Sequence, residues 1–87
     1  MVPEYVIVTL QTESGIDLGD FQLPTAVSTE KIGALLLDGL RKQFFQQLGS
    51  WTKLELCRQG FPLENKKTLA DHGIWDGSIL TVREGAK

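Results

Sequence analysis

Few side chains in this sequence could carry chemistry, and three of them fall in one stretch. Residues 68–80 read TLADHGIWDGSIL and hold Asp71, His72 and Asp76, while Cys57 lies upstream. A nucleophilic thiolate needs a base within hydrogen-bond reach and a group that orients the base. Cys57, His72 and Asp71 are the right types for that. His72 with Asp71 and Asp76 are the right types for a metal. The spacing supports neither. Cys57 falls on a strand pattern and His72 in a turn, and nothing in the sequence joins them. A lone cysteine more commonly serves as a small apolar residue. One histidine with two loop acids matches no metal-ligand spacing. The competing reading is turn chemistry, with Asp71 bracing a tight turn and Asp76-Gly77 setting the entry to a last strand. The 9 glycines are dispersed through turns and build no phosphate loop. No enzyme, cofactor or metal is predicted.

The elements that must position these residues belong to a small fold. At 87 residues the chain makes one domain, 1–87. A chain this size buries roughly 60% of its unfolded surface, which allows one core. Apolar content of 41% and charged content of 23% argue for a globular domain. A net charge of −2, with no basic stripe, gives no case for nucleic acid or an anionic membrane. One cysteine allows no internal disulfide, which suits a reducing compartment. The opening MVPEYVIVTL is a poor signal peptide, and no apolar run approaches a membrane span. A soluble intracellular domain is expected.

Residues 5–10, YVIVTL, read as a strand, and IDLGDFQL at 16–23 as a second, paired in a hairpin. The apolar parity changes between Ile16/Leu18 and Phe21/Leu23, so Gly19 marks a bulge or a long hairpin loop. Ser28 reads as a helix N-cap with Glu30 in the first turn. Ile32, Leu35, Leu36, Leu40, Phe44 and Leu48 recur at helical steps, with Gly49 as a left-handed stop. Gly39 falls on that stripe, where it would let the helix approach a sheet. Leu54 and Leu56 alternate with Lys53, Glu55 and Cys57 as a half-buried strand. Gln59-Gly60-Phe61-Pro62 is a turn, Leu63 starts a short strand, and Ile79–Val82 is the last. The pattern gives an α+β fold, a mixed sheet of four to five strands with one helix across one face.

With these elements placed, the chain resembles a ubiquitin-like (β-grasp) protein over nearly its whole length. The likeness is sharpest in LELCRQGFPLENKKTLADHGIWDGSILTV, residues 54–82. Within that fold it is most similar to the YukD/EsaB-type component of bacterial type VII secretion systems, on FQLPTAVSTEKIGALL, RQGFPL and TLADHGIWDGSILTV. A related domain begins that system's multispanning membrane subunit. The resemblance implies an interaction module that docks on secretion machinery. It would lie in the cytoplasm, or be held at the inner face of the membrane by a protein partner. No nucleic acid, membrane insertion or small-molecule substrate is implied.

The departures from the pattern matter too. Ubiquitin-like modifiers and sulfur carriers end in Gly-Gly, and this sequence runs Arg83-Glu84-Gly85-Ala86-Lys87. Conjugation is therefore not expected. A modifier or sulfur carrier with a differently processed end, or a domain of a larger membrane subunit, are the alternatives. The centre of ubiquitin's apolar recognition patch matches Cys57, and its last-strand valine matches Arg83. Phe61 and Asp76 stand where ubiquitin carries two chain-forming lysines. Phe45, Trp51, Phe61 and Trp75 fall in turns or off the helical stripe, and exposed aromatics mark interaction surfaces. The candidate protein-binding residues are Phe61, Trp75, Cys57, Arg83 and Phe45.

Overall fold

The computed structural model describes residues 3–85. Seven elements run in order: β1 Tyr5–Thr12, β2 Asp17–Pro24, α1 Thr29–Gln43, α2 Phe45–Leu48, β3 Leu54–Arg58, β4 Phe61–Pro62 and β5 Ile79–Glu84. They form one sheet in the order β2-β1-β5-β3-β4. The β1–β5 pair is parallel and the others are antiparallel, so the sheet is mixed. α1 covers one face. The core lies between them, with Val6, Val8, Leu10, Leu56, Leu80 and Val82 of the sheet meeting Ile32, Leu36 and Leu40 of α1.

The parity change in the second strand is a bulge. Leu10 pairs with Gly19 and Gln11 with Asp17, so Leu18 is the extra residue. Gly19 takes φ +101°, and its N–H donates to Asp17 Oδ1 at 2.8 Å. This lets Leu18 in the bulge and Leu23 beyond it face the same core despite their opposite parity.

The helix begins as its cap requires. Ser28 Oγ accepts from the Lys31 amide at 3.4 Å, and Glu30 lies in the first turn. The Thr29 hydroxyl donates to Glu64 O at 2.6 Å, tying this end to the loop before β5.

The helix and the chain after it depart from the sequence expectations at several points. The helix does not run unbroken to Leu48: Phe44 (φ −121°, ψ 54°) interrupts it, and α2 is a separate turn. The break re-aims the chain so that Leu48 enters the core while Phe45 faces out. Gly49 is right-handed, not left-handed, and is needed for space, since a Cβ there would lie 2.9 Å from the Phe45 ring. Close approach to the sheet falls to Gly33 and not Gly39: a Cβ on Gly33 would be 2.9 Å from Leu54 O, whereas Gly39 faces open space. The buried helix face is accordingly Ile32, Gly33, Leu36, Leu37 and Leu40, and Leu35 is 70% exposed. Finally, β4 is Phe61–Pro62 and Leu63 lies just past it, its amide donating to Leu56 O at 2.9 Å.

Candidate functional site

The groups with catalytic types are each engaged locally. Asp71 Oδ2 accepts from the Thr68 amide at 3.1 Å, and Thr68 Oγ1 accepts from the Asp71 amide at 3.1 Å. This reciprocal pair closes the turn at Thr68–Gly73. The Thr68 amide, then its hydroxyl, hold the Asp71 carboxyl below its ordinary range. His72 Nε2 accepts from the Glu64 amide at 3.1 Å, and its carbonyl accepts from Arg58 Nη1 at 2.7 Å. The imidazole therefore ties the closing turn to the segment just past β4, and the His72 carbonyl ties it to Arg58 at the end of β3. Asp76 Oδ1 accepts from the Ile7 amide at 2.8 Å.

Cys57 is on β3, paired with Thr81, and only 2% exposed. Burial pushes its thiol up, and the nearby Arg83 guanidinium partly offsets this. A buried protonated thiol is a poor nucleophile. Among the described residues no group of His, Cys, Asp and Glu is arranged to hold a metal ion.

The aromatics are placed differently. Phe44 and Trp51 pack partly buried against the core. Phe61, Phe45 and Trp75 are 75%, 74% and 62% exposed. They stand on three different parts of the chain, β4, α2 and the turn before β5. Phe61 comes directly after the Gln59-Gly60 turn, in which both residues have positive φ (52° and 84°). That is the two-residue hairpin connection whose twist matches the flanking strands, and it pairs Phe61 with Arg58 at the sheet edge. Phe45 lies beside Arg41, Lys42 and Asp38 at the end of α1. Trp75 opens the turn before β5, its amide donating to Ser78 Oγ at 3.0 Å. Arg83 lies across from Glu55 on the outer sheet face, with Nη2 to Oε2 at 3.4 Å.

No protein-family model and no curated protein matches the sequence. Solved structures do. The ubiquitin-like domain of EccD5 from Mycobacterium xenopi superposes with a TM-score of 0.76 at 17% identity, covering 98% of this chain and 99% of that one. The ubiquitin-like domain of the Mycobacterium tuberculosis type VII secretion protein ECCD1 gives 0.71 at 27%, covering 94% and 98%. The chain has the ubiquitin-like fold. A chain of the MycP5-free ESX-5 inner membrane complex also matches, with a TM-score of 0.77 at 22% identity, and this chain spans 22% of its length. Cys57 and Arg83, which the sequence resemblance sets at ubiquitin's apolar-patch positions, are buried and ion-paired respectively, so neither offers apolar surface.

Five exposed apolar residues lie outside the candidate set read from the sequence: Tyr5, Ile7, Ile16, Leu35 and Ile79, of which Tyr5, Ile7 and Ile79 share one face of the sheet. Tyr5 and Ile7 share the outer face of β1, opposite the buried Val6 and Val8. Ile79 pairs with Thr9, next along that face. The signal was available, because YVIV is apolar at both parities while the sequence offers helix to cover only one face of the sheet.

Proposed function

We propose that this chain is a non-catalytic interaction module of a type VII secretion system. The observation that carries the reading is the contrast within one rigid fold. Each group with catalytic chemistry is buried or held in a turn or cross-strand contact, whereas Phe61, Trp75 and Phe45 project from fixed backbone into solvent. The likeness to ubiquitin-like domains of type VII secretion proteins supplies the setting. Binding is by contact and not by transfer of a terminal carboxylate, and the partners are proteins of the secretion machinery at the cytoplasmic side of the membrane. No helix among the described residues is long and apolar enough to cross a membrane, so in this reading attachment runs through a partner or a longer chain. A second reading, a domain of a larger membrane subunit, is favoured by the 22% of the inner-membrane-complex chain that this chain spans. The YukD/EsaB type is the free-standing form of the first reading.

The test is capture of purified type VII cytoplasmic components by the chain and by Phe61→Ala and Trp75→Ala, with melting curves in parallel. The reading expects capture to fall with melting unchanged. Loss of cooperative melting, with binding per folded molecule intact, would make both residues packing groups. An isopeptide adduct or thiocarboxylate in the intact mass would replace the docking reading with a modifier.

A further inference from the structure

The outer face of the sheet combines an apolar line with acidic side chains, and Arg83, further along β5 on that face, is paired with Glu55. Tyr5 and Ile7 stand two residues apart on β1, and Ile79 lies diagonally from Ile7 across the parallel ladder. The Trp75 turn is fastened to the same place, because Gly77 donates to Ile7 O at 2.9 Å while Asp76 accepts from Ile7 N. All 9 Lys and Arg lie at or beyond Lys31, whereas residues 1–30 hold Glu4, Glu13, Asp17, Asp20 and Glu30. Asp20 is fixed on this face by the Thr9 hydroxyl, which donates to its Oδ1 at 2.7 Å. Among the described residues, Asp17, Asp20 and Asp76 pair with no basic side chain.

We propose that this face docks an amphipathic helix of a partner protein, one whose apolar stripe is flanked by Lys or Arg. Both neighbours of β1 and both of β5 are already strands, so no backbone pairing remains there for an added strand. The partner must pack from above with its own backbone satisfied, which a helix does. Side chains two apart on a strand are about 6.6 Å apart, close to the ~5.4 Å between turns of a helical stripe. Charge selects against two other occupants. A second copy would set acidic face on acidic face, and an anionic membrane would be repelled.

The inference deepens the docking reading, and the experiment separates the two. A synthetic 18-residue helix with a Leu stripe and Lys flanks is titrated into isotope-labelled protein, beside a peptide with the same stripe and Glu flanks. The Lys peptide is expected to shift the amides of residues 5–9 and 77–79. Ile7→Ser and Ile79→Ser should each weaken it at least tenfold with melting unchanged, and Asp20→Lys or added salt should also weaken it. The Glu peptide should not bind. Equal binding of both peptides, shifts centred on the Phe61 hairpin, no binding at all, concentration-dependent dimerisation through this face, or adsorption to anionic vesicles would each overturn it. If secretion components are captured unchanged by Ile7→Ser, this surface falls and the docking reading stands. If the Lys peptide binds here but no component is captured, the reverse holds.

Discussion

Asp76 Oδ1 accepts the Ile7 amide hydrogen at 2.8 Å across 69 residues of sequence. Ile7 N–H points toward β5 at a level where β5 has not yet begun, since the parallel ladder starts at Thr9 and Ile79. A carboxylate thus stands in for a missing strand carbonyl, and Gly77 answers by donating to Ile7 O. Asp76→Ala removes this acceptor. A loss of about 1 kcal/mol is expected, which lowers the melting temperature by about 4–8 °C in a domain of this size. Faster exchange of the Ile7 amide is the local readout, and Asp76→Asn should retain part of the effect.

The two helix glycines should respond in opposite directions. Gly33→Ala drives a methyl to 2.9 Å from the Leu54 carbonyl, a backbone atom that cannot swing aside. Destabilisation of about 1–3 kcal/mol is expected. Gly39→Ala meets open space and should stabilise by about 0.5–1 kcal/mol through helix propensity. Denaturant melts of both variants check this. Equal effects would show that α1 does not approach β3 through Gly33.

Cys57 should resist alkylation in the folded protein and react on unfolding, because it is buried and its thiol is pushed up from the ordinary 9.0. The raised value also sets a sign. The neutral thiol's contribution to stability is full below the unfolded value and is lost as pH rises through the folded one. Iodoacetamide labelling against denaturant reads the first effect. Melts above pH 9, with Cys57→Ala as control, read the second.

Asp71 sets the opposite window. Its carboxyl is held below the ordinary 3.8, so its contribution is present above that value and fades as pH falls through the folded one. Asp71→Asn should flatten the acid limb of a stability-against-pH curve. Thr68→Ala should flatten it as well, because the two residues bond each other. If the acid limb is the same in Asp71→Asn, the reciprocal turn does not carry it.

Much of the fold is legible in the sequence because it rests on local chemistry. Ser28 caps, Gly19 marks the bulge, and Thr68 to Gly77 make the closing turns, each set by short-range hydrogen bonds and φ preferences. Period-2 and period-3.6 patterns then imply the sheet and its single covering helix. Phe45, Trp51, Phe61 and Trp75 stand out because they fall outside those patterns; three are exposed, and Trp51 instead packs partly buried against the core.

The tertiary structure decided what depends on phase and distance between elements. The helix stripe includes Leu35 and Gly39 by spacing alone, yet the sheet meets the helix through Gly33 and Leu37, because strand β3 fixes which side of α1 faces inward. Cys57 has the parity of an outward residue and is nevertheless buried, set in the sheet between Pro62 of β4 and Thr81 of β5. The Asp76–Ile7 bond and the diagonal of Ile7 and Ile79 join the two ends of the sequence, where no local signal reaches. Sequence determined the main strands and the helix start, because those rest on short-range chemistry, but not the break at Phe44 or the place of β4. Only the fold determined which side chains share a surface, because that is set by strand order and packing.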